Sequence, residues 1–151
     1  MKALVIYDSL YGNTEKVARA LASGMREGGI DVECVRANTV DVGTLRAYDM
    51  IVIGGPTHSM GLSDTMKTFT KQLKEAAVKN KQAFAFDTKY DSRFAGSAGK
   101  KIEQRMKQNG MKVVVPHASA IVLGKEGPLK EGTEAQFKQI GTELARSALA
   151  S

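Results

Sequence analysis

The stretch IYDSLYGNTEKVARAL, residues 6–21, runs from an apolar segment into an amphipathic one through a turn rich in hydroxyl, amide and glycine residues. Five of the six residues at 9–14 are Ser, Tyr, Gly, Asn or Thr, and none is Lys. A loop that feeds a helix N-terminus presents unpaired backbone N–H groups and the positive end of the helix dipole to an anion. Gly12 permits a tight turn, while Ser9, Asn13 and Thr14 add side-chain donors. The turn is neither GxxxxGK[ST] nor GxGxxG, and without a Lys and a magnesium-ligating pair it does not suit a triphosphate. It suits a small terminal phosphate held by hydrogen bonds, although a plain helix cap would use the same residue types.

Outward from this turn the chain alternates strand and helix to its end. KALVIY (2–7) is a near-continuous apolar run, as expected of a parallel strand covered on both faces. Residues 14–28 place Val17, Ala18, Leu21, Ala22 and Met25 on one helical face, and Gly28 and Gly29 end the pattern. DVECVRA (31–37) reads as a second strand and YDMIVIGG (48–55) as the central one. A helix at 64–78, a strand at 82–87 and a helix at 97–109 come next. Residues 112–123 read as a strand interrupted by Pro116, which cannot donate to a central ladder, and residues 133–149 as the closing helix. Regular alternation of this kind predicts a three-layer, doubly wound α/β fold in one domain, residues 1–151, with right-handed crossovers. Ligands of such sheets bind beyond the carboxyl ends of the strands, which singles out residues 8–14, 56–64 and 88–97.

Composition narrows the classes. The sequence has no apolar run near the ~18 residues of a membrane span, and MKALVIYDS enters a strand directly instead of forming a secretory leader. The one cysteine, Cys34, cannot form an internal disulfide and is read as a strand thiol in a reducing cytoplasm. Residues 51–112 hold 12 basic and 5 acidic side chains, against 6 and 7 in residues 1–50 and 4 and 4 in the remainder. A basic middle third is one sign of a nucleic-acid surface. Here, however, Lys67, Lys71, Lys74, Lys100, Lys101, Arg105 and Lys107 read as solvated faces of two helices. Interleaved aromatics for base stacking are confined to Tyr90 and Phe94. No Cys, His and carboxylate cluster has metal-ligand spacing, so no metal site is expected; the methionines read as core filler.

SLYGNT (9–14) resembles the [ST]-x-[TY]-G-[NT]-T phosphate loop of the flavodoxin family, and GGPTHSMG (54–61) resembles that family's second flavin loop. The segment from Phe94 through KKIEQRMKQNGMKVV resembles the stretch immediately after the family's third loop. The resemblance spans the chain in order, at the length of the short-chain type. It implies a five-stranded parallel sheet in the family's order 2-1-3-4-5. It also implies FMN as cofactor. The phosphate would sit on Ser9, Leu10, Tyr11, Gly12, Asn13 and Thr14, mostly through backbone N–H groups. Pro56, Thr57, His58 and Ser59 would line the ribityl chain and ring edge. DTKYDSRF would supply pyrimidine-edge contacts from Asp87, Thr88 and Lys89 and a stacking aromatic, Tyr90 first and Phe94 second.

Three departures stand out. The chain has no Trp, and His58 takes the position where many relatives stack one on the inner flavin face. Ser59 stands where the family often places Gly beside flavin N5, and positive φ costs Ser more than Gly. Finally, relatives tend to be acidic around the flavin, whereas two flavin loops here lie in the basic third. The implied function is electron transfer between redox proteins, with acidic partners matched to the basic flavin edge, by a cytoplasmic monomer without catalytic acid or base. An FMN-dependent NAD(P)H:quinone-type reductase on the same fold remains the alternative. A phosphorylated receiver domain is excluded because the third strand ends IGGPTH without a carboxylate.

Overall fold

The computed structural model describes residues 1–150. Strand β1 (Lys2–Tyr7) lies between β2 (Asp31–Arg36) and β3 (Met50–His58), and all three run parallel. Tyr7 at the end of β1 pairs in register with Gly54 of β3, so the two strands end at the same edge. A short β4 (Gly61–Leu62) folds back antiparallel onto the end of β3. Strand β5 (Gln82–Tyr90) pairs parallel with β3, and β6 (Lys112–Val113) and β7 (Ala118–Val122) share its far side.

Five lateral positions in the order β2-β1-β3-β5-β6 reproduce the expected topology, but the described residues form seven strands and β4 is not parallel. The extra members have physical causes. The fifth position is split because Pro116 cannot donate to the ladder: β6 pairs with the start of β5 and β7 with its end. Within the gap the backbone N–H of His117 donates to Glu103 Oε2 at 2.7 Å, so the group released from the ladder stays satisfied. Strands β3 and β5 also run to His58 and Tyr90, beyond the ends expected at 55 and 87.

Successive residues of β1 divide between two cores, as the period of a strand requires. Ala3, Val5 and Tyr7 join one cluster with Val17, Leu21 and Met25 of α1 (Asn13–Glu27) and Phe137 and Leu144 of α4 (Thr133–Leu149). Leu4 and Ile6 join the other with Met66 and Phe69 of α2 (Asp64–Gln72) and Ile102 and Met106 of α3 (Ala98–Gln108). Helix α2 is shorter than expected and continues as a 3-10 turn over Leu73–Glu75, an exit that lets both Leu73 and Val78 bury. Cys34 packs against the first core, and burial pushes its thiol pKa up, which disfavours the reactive thiolate. Among the described residues no helix is long and apolar enough to cross a membrane.

Helices α1 and α4 touch backbone to backbone. A Cβ on Gly141 would meet the Leu21 carbonyl, and one on Gly24 would meet the Lys138 carbonyl. Gly141→Ala therefore tests packing against propensity. Intrinsic helix preference favours Ala by about 1 kcal/mol, whereas the clash predicts a net loss of about 1–3 kcal/mol. Denaturant unfolding of the two proteins decides the sign.

Candidate functional site

The carboxyl ends of β1, β3 and β5 open onto a cavity of 460 Å³, within the range of about 300–1,000 Å³ usual for small-molecule sites. It lies where the strand order reverses, between β1 and β3.

The first wall is the loop after β1, which contributes Ser9, Leu10, Tyr11, Asn13 and Thr14. Gly12 precedes α1 with φ +91°, and no side chain caps the helix. A Cβ at Gly12 would meet nothing within 4 Å, so glycine is required by conformation and not by space. The Gly12 N–H donates to Ser9 Oγ at 3.1 Å and closes the turn. Thr14 Oγ1 and Thr88 Oγ1 share a buried hydrogen bond of 2.9 Å, which ties this wall to β5.

Beneath the loop Arg36 donates to the Ser9 carbonyl at 3.0 Å and to Glu15 Oε1 at 2.7 Å, with its guanidinium 5.3 Å from the Tyr7 ring centre. Arg19 donates to Glu15 Oε2 at 3.1 Å. That hydrogen bond holds the Glu15 carboxyl below its ordinary range. A carboxylate in the first turn of α1 would repel an incoming anion, and here two cations compensate it.

The second wall is Pro56, Thr57, His58 and Ser59. Ser59 and Met60 form the two-residue turn between β3 and β4, with φ +46° and +70°. Positive φ at both central positions is what a tight hairpin of this twist demands, normally of Asn and Gly. The turn is braced from outside: a Cβ on Gly96 would meet the Met60 carbonyl, and Lys101 Cε would lie 3.3 Å from one on Gly61.

The third wall is Thr88, Lys89 and Tyr90. Two residues expected to touch a cofactor from this loop stand away from the cavity. Because β5 continues to Tyr90, Asp87 falls inside the strand and is fully buried. Its Oδ2 accepts from Ser97 Oγ at 2.5 Å and from the Gly99 N–H at 2.8 Å, so it anchors the start of α3, while Oδ1 has no partner. Phe94 is exposed beneath the Arg93 guanidinium, 4.9 Å from its ring centre. Gly12 shapes the first wall without lining it.

Two lining residues, Val122 and Lys125, were not expected. They belong to GKEGPLKEG and its approach, which reads as a connector. A Gly-Pro turn between Val122 and Leu129 was the available signal of a hairpin.

A second cleft, of 470 Å³, adjoins the first and shares His58 and Ser59 with it. Lys67 and Lys71 of α2 face Lys101 and Arg105 of α3 across it. The two lysine stripes thus converge on one concave surface beside the cavity instead of being independent solvated faces. Among the described residues no group of three or more His, Cys, Asp or Glu side chains could hold a metal ion.

This arrangement defines a doubly wound α/β protein with a switch-point ligand site. The flavodoxin family model matches residues 5–140, and the chain belongs to that family. It is 33% identical over 89 residues to a flavodoxin of Clostridium saccharobutylicum, an overlap covering 58% of this chain and 56% of the relative. It is 37% identical over 89 residues to an NAD(P)H dehydrogenase (quinone) of Paracoccus denitrificans, covering 46% and 43%. The chain thus spans about half the length of these relatives. A flavodoxin structure from the domain Archaea superposes with TM-score 0.86 at 25% identity, covering 99% of each chain.

Flavodoxins bind FMN, and the cavity suits it. An uncapped helix N-terminus lined by hydroxyl and amide groups lies at one wall, and the aromatic rings of Tyr11 and Tyr90 are available at the mouth. Asp87 fixes the start of α3 against the end of β5. Asp87→Ala strands Ser97 Oγ and the Gly99 N–H, and should destabilise the fold by about 2–3 kcal/mol. Asp87→Asn, which keeps one acceptor, should cost less; thermal unfolding followed by circular dichroism compares them.

Proposed function

We propose that this chain is a single-domain, monomeric, cytoplasmic electron carrier that binds FMN in the cavity at the ends of β1, β3 and β5. The observation that carries the reading is the hydrogen-bonding, uncapped start of α1 facing the same cavity as the ends of β3 and β5. Residues 9–14 would hold the phosphate through backbone N–H groups and the hydroxyls of Ser9 and Thr14. Pro56, Thr57, His58 and Ser59 would flank the ribityl chain and one ring edge, with Thr88, Lys89 and Tyr90 on the other side. Bound FMN supplies the electron transfer itself; the protein binds it, orients it and tunes its potentials.

The partners are redox proteins with acidic surfaces. Lys89 lines the cavity, and the Lys67, Lys71, Lys101 and Arg105 cleft lies beside it. Leu10 of the cavity lining and Met60, next to the lining residue Ser59, are exposed and add apolar area to a basic surface. Positive potential of this kind speeds encounter with an acidic partner, and the advantage fades with salt.

Addition of FMN to the purified protein tests the cofactor. The expected result is stoichiometric quenching of flavin fluorescence with a shifted visible spectrum; free-flavin fluorescence at every ratio would defeat the reading. Rapid oxidation of NAD(P)H by the flavin-loaded protein alone would favour the reductase reading that the Paracoccus relative suggests. The fully reduced flavin is anionic, so Lys89 should favour it. Lys89→Glu is expected to make the second one-electron potential more negative by a few tens of millivolts, the equivalent of about 1 kcal/mol at surface dielectric. Potentiometric titration at low and high salt measures the shift, which should shrink with salt.

A further inference from the structure

The segment between β7 and α4 is a hairpin and not a simple connector. Val122 bridges Leu129 antiparallel, the Leu123 N–H donates to the Pro128 carbonyl at 2.9 Å, and the Lys130 N–H donates to the Ile121 carbonyl at 2.8 Å. The tip closes through the Gly127 N–H on the Gly124 carbonyl at 3.1 Å. It leans on the first wall of the cavity: a Cβ on Gly127 would come within 2.7 Å of Asn13 Oδ1, and Asn13 is the first residue of α1. Lys125, two residues before Gly127 in the tip, lines the same cavity as Ser9, Asn13 and Thr14.

Two of the other cations around this loop are committed elsewhere. Arg36 and Arg19 both pair with Glu15. Lys16 lines a different cavity, with Pro128 and Leu129 on the hairpin's outer side. Lys89 enters from the end of β5 beside Tyr90. Among the described residues Lys125 forms no ion pair.

We propose that Lys125 supplies the cation that the residue 9–14 loop lacks, reaching a phosphomonoester dianion at the start of α1 from the tip of the hairpin. On the FMN reading, on which this proposal rests, that dianion is the flavin phosphate. Amides and hydroxyls fix its position, and the ammonium adds attraction from the open side as a flexible point charge.

The test is the affinity of wild type, Lys125→Gln and Lys125→Arg for FMN and for riboflavin, which carries the same ring without phosphate. Flavin fluorescence quenching gives each dissociation constant at low and at high salt, and a thermal melt confirms folding. Lys125→Gln should weaken FMN about fivefold at low salt, an exposed ammonium being partly screened. It should leave riboflavin unchanged, with the FMN difference narrowing at high salt and Lys125→Arg close to wild type. Equal weakening of both flavins would place Lys125 at the ring, and no change in either would remove it from the site; each overturns the proposal. Failure of the FMN reading shows separately, as absence of FMN binding by the wild type.

Discussion

The constraint on which the site depends is that the main strands are parallel. Every strand then ends at one edge of the sheet, and the helix after each must begin there, with its first N–H groups unpaired. Three helices start at this edge, and the chain treats them differently. Helix α2 is capped by Ser63, whose hydroxyl is held by Asp8 Oδ2 at 2.6 Å. Helix α3 is capped by Ser97, held in the same way by Asp87. Each of these starts therefore already has a carboxylate of the protein beside it. Helix α1 begins at a glycine with no such provision, and Glu15 in its first turn is balanced by two arginines. The place left for an external anion is defined as much by the two occupied helix starts as by the open one.

Much of this was legible in the sequence for a simple reason. The buried strands are continuous apolar runs and the helices carry clean apolar faces, so element type and order come from periodicity at KALVIY, MIVIGG and the stretch from Val17 to Met25. The first wall was legible because SLYGNT resembles the family's phosphate loop; its glycine, hydroxyl and amide residues alone suit a plain helix cap equally well. What escaped depends on where strands stop. Nothing local says that β5 continues to Tyr90, and that continuation turns Asp87 from a loop ligand into a buried anchor for α3. Nor does local sequence say that the segment around Gly127 and Pro128 folds back over α1, because the contact with Asn13 joins the two ends of the chain. The Lys67 and Lys101 stripes were visible as stripes; that they face one another is a property of helix placement.

The turn at Ser59 and Met60 shows how the walls constrain each other. Two L-residues in the left-handed region cost about 1–2 kcal/mol each, yet the pairing of His58 with Gly61 leaves only two residues to reverse the chain. Gly96 and Gly61 are small where this turn is approached, by the third loop and by the Lys101 chain respectively. The turn's shape is thus held by neighbours on α3 and its leading loop, the same segment that Asp87 anchors. The second and third walls form one mechanical unit, and the first joins them through the buried contact of Thr14 with Thr88.

The break at Pro116 also settles how the sheet meets its surroundings. An uninterrupted last strand would present a long row of unpaired donors and acceptors, a template for adding a strand from another molecule. Dividing it into a two-residue and a five-residue piece removes that continuity. The backbone donor nearest the proline is turned inward to Glu103, and the outer piece is occupied by its own hairpin through Leu129. At the opposite edge β2 carries Asp31, Glu33 and Arg36, charges that resist edge-to-edge pairing. The interruption that looks like a flaw in the fifth strand thus protects the fold against growing into a larger sheet.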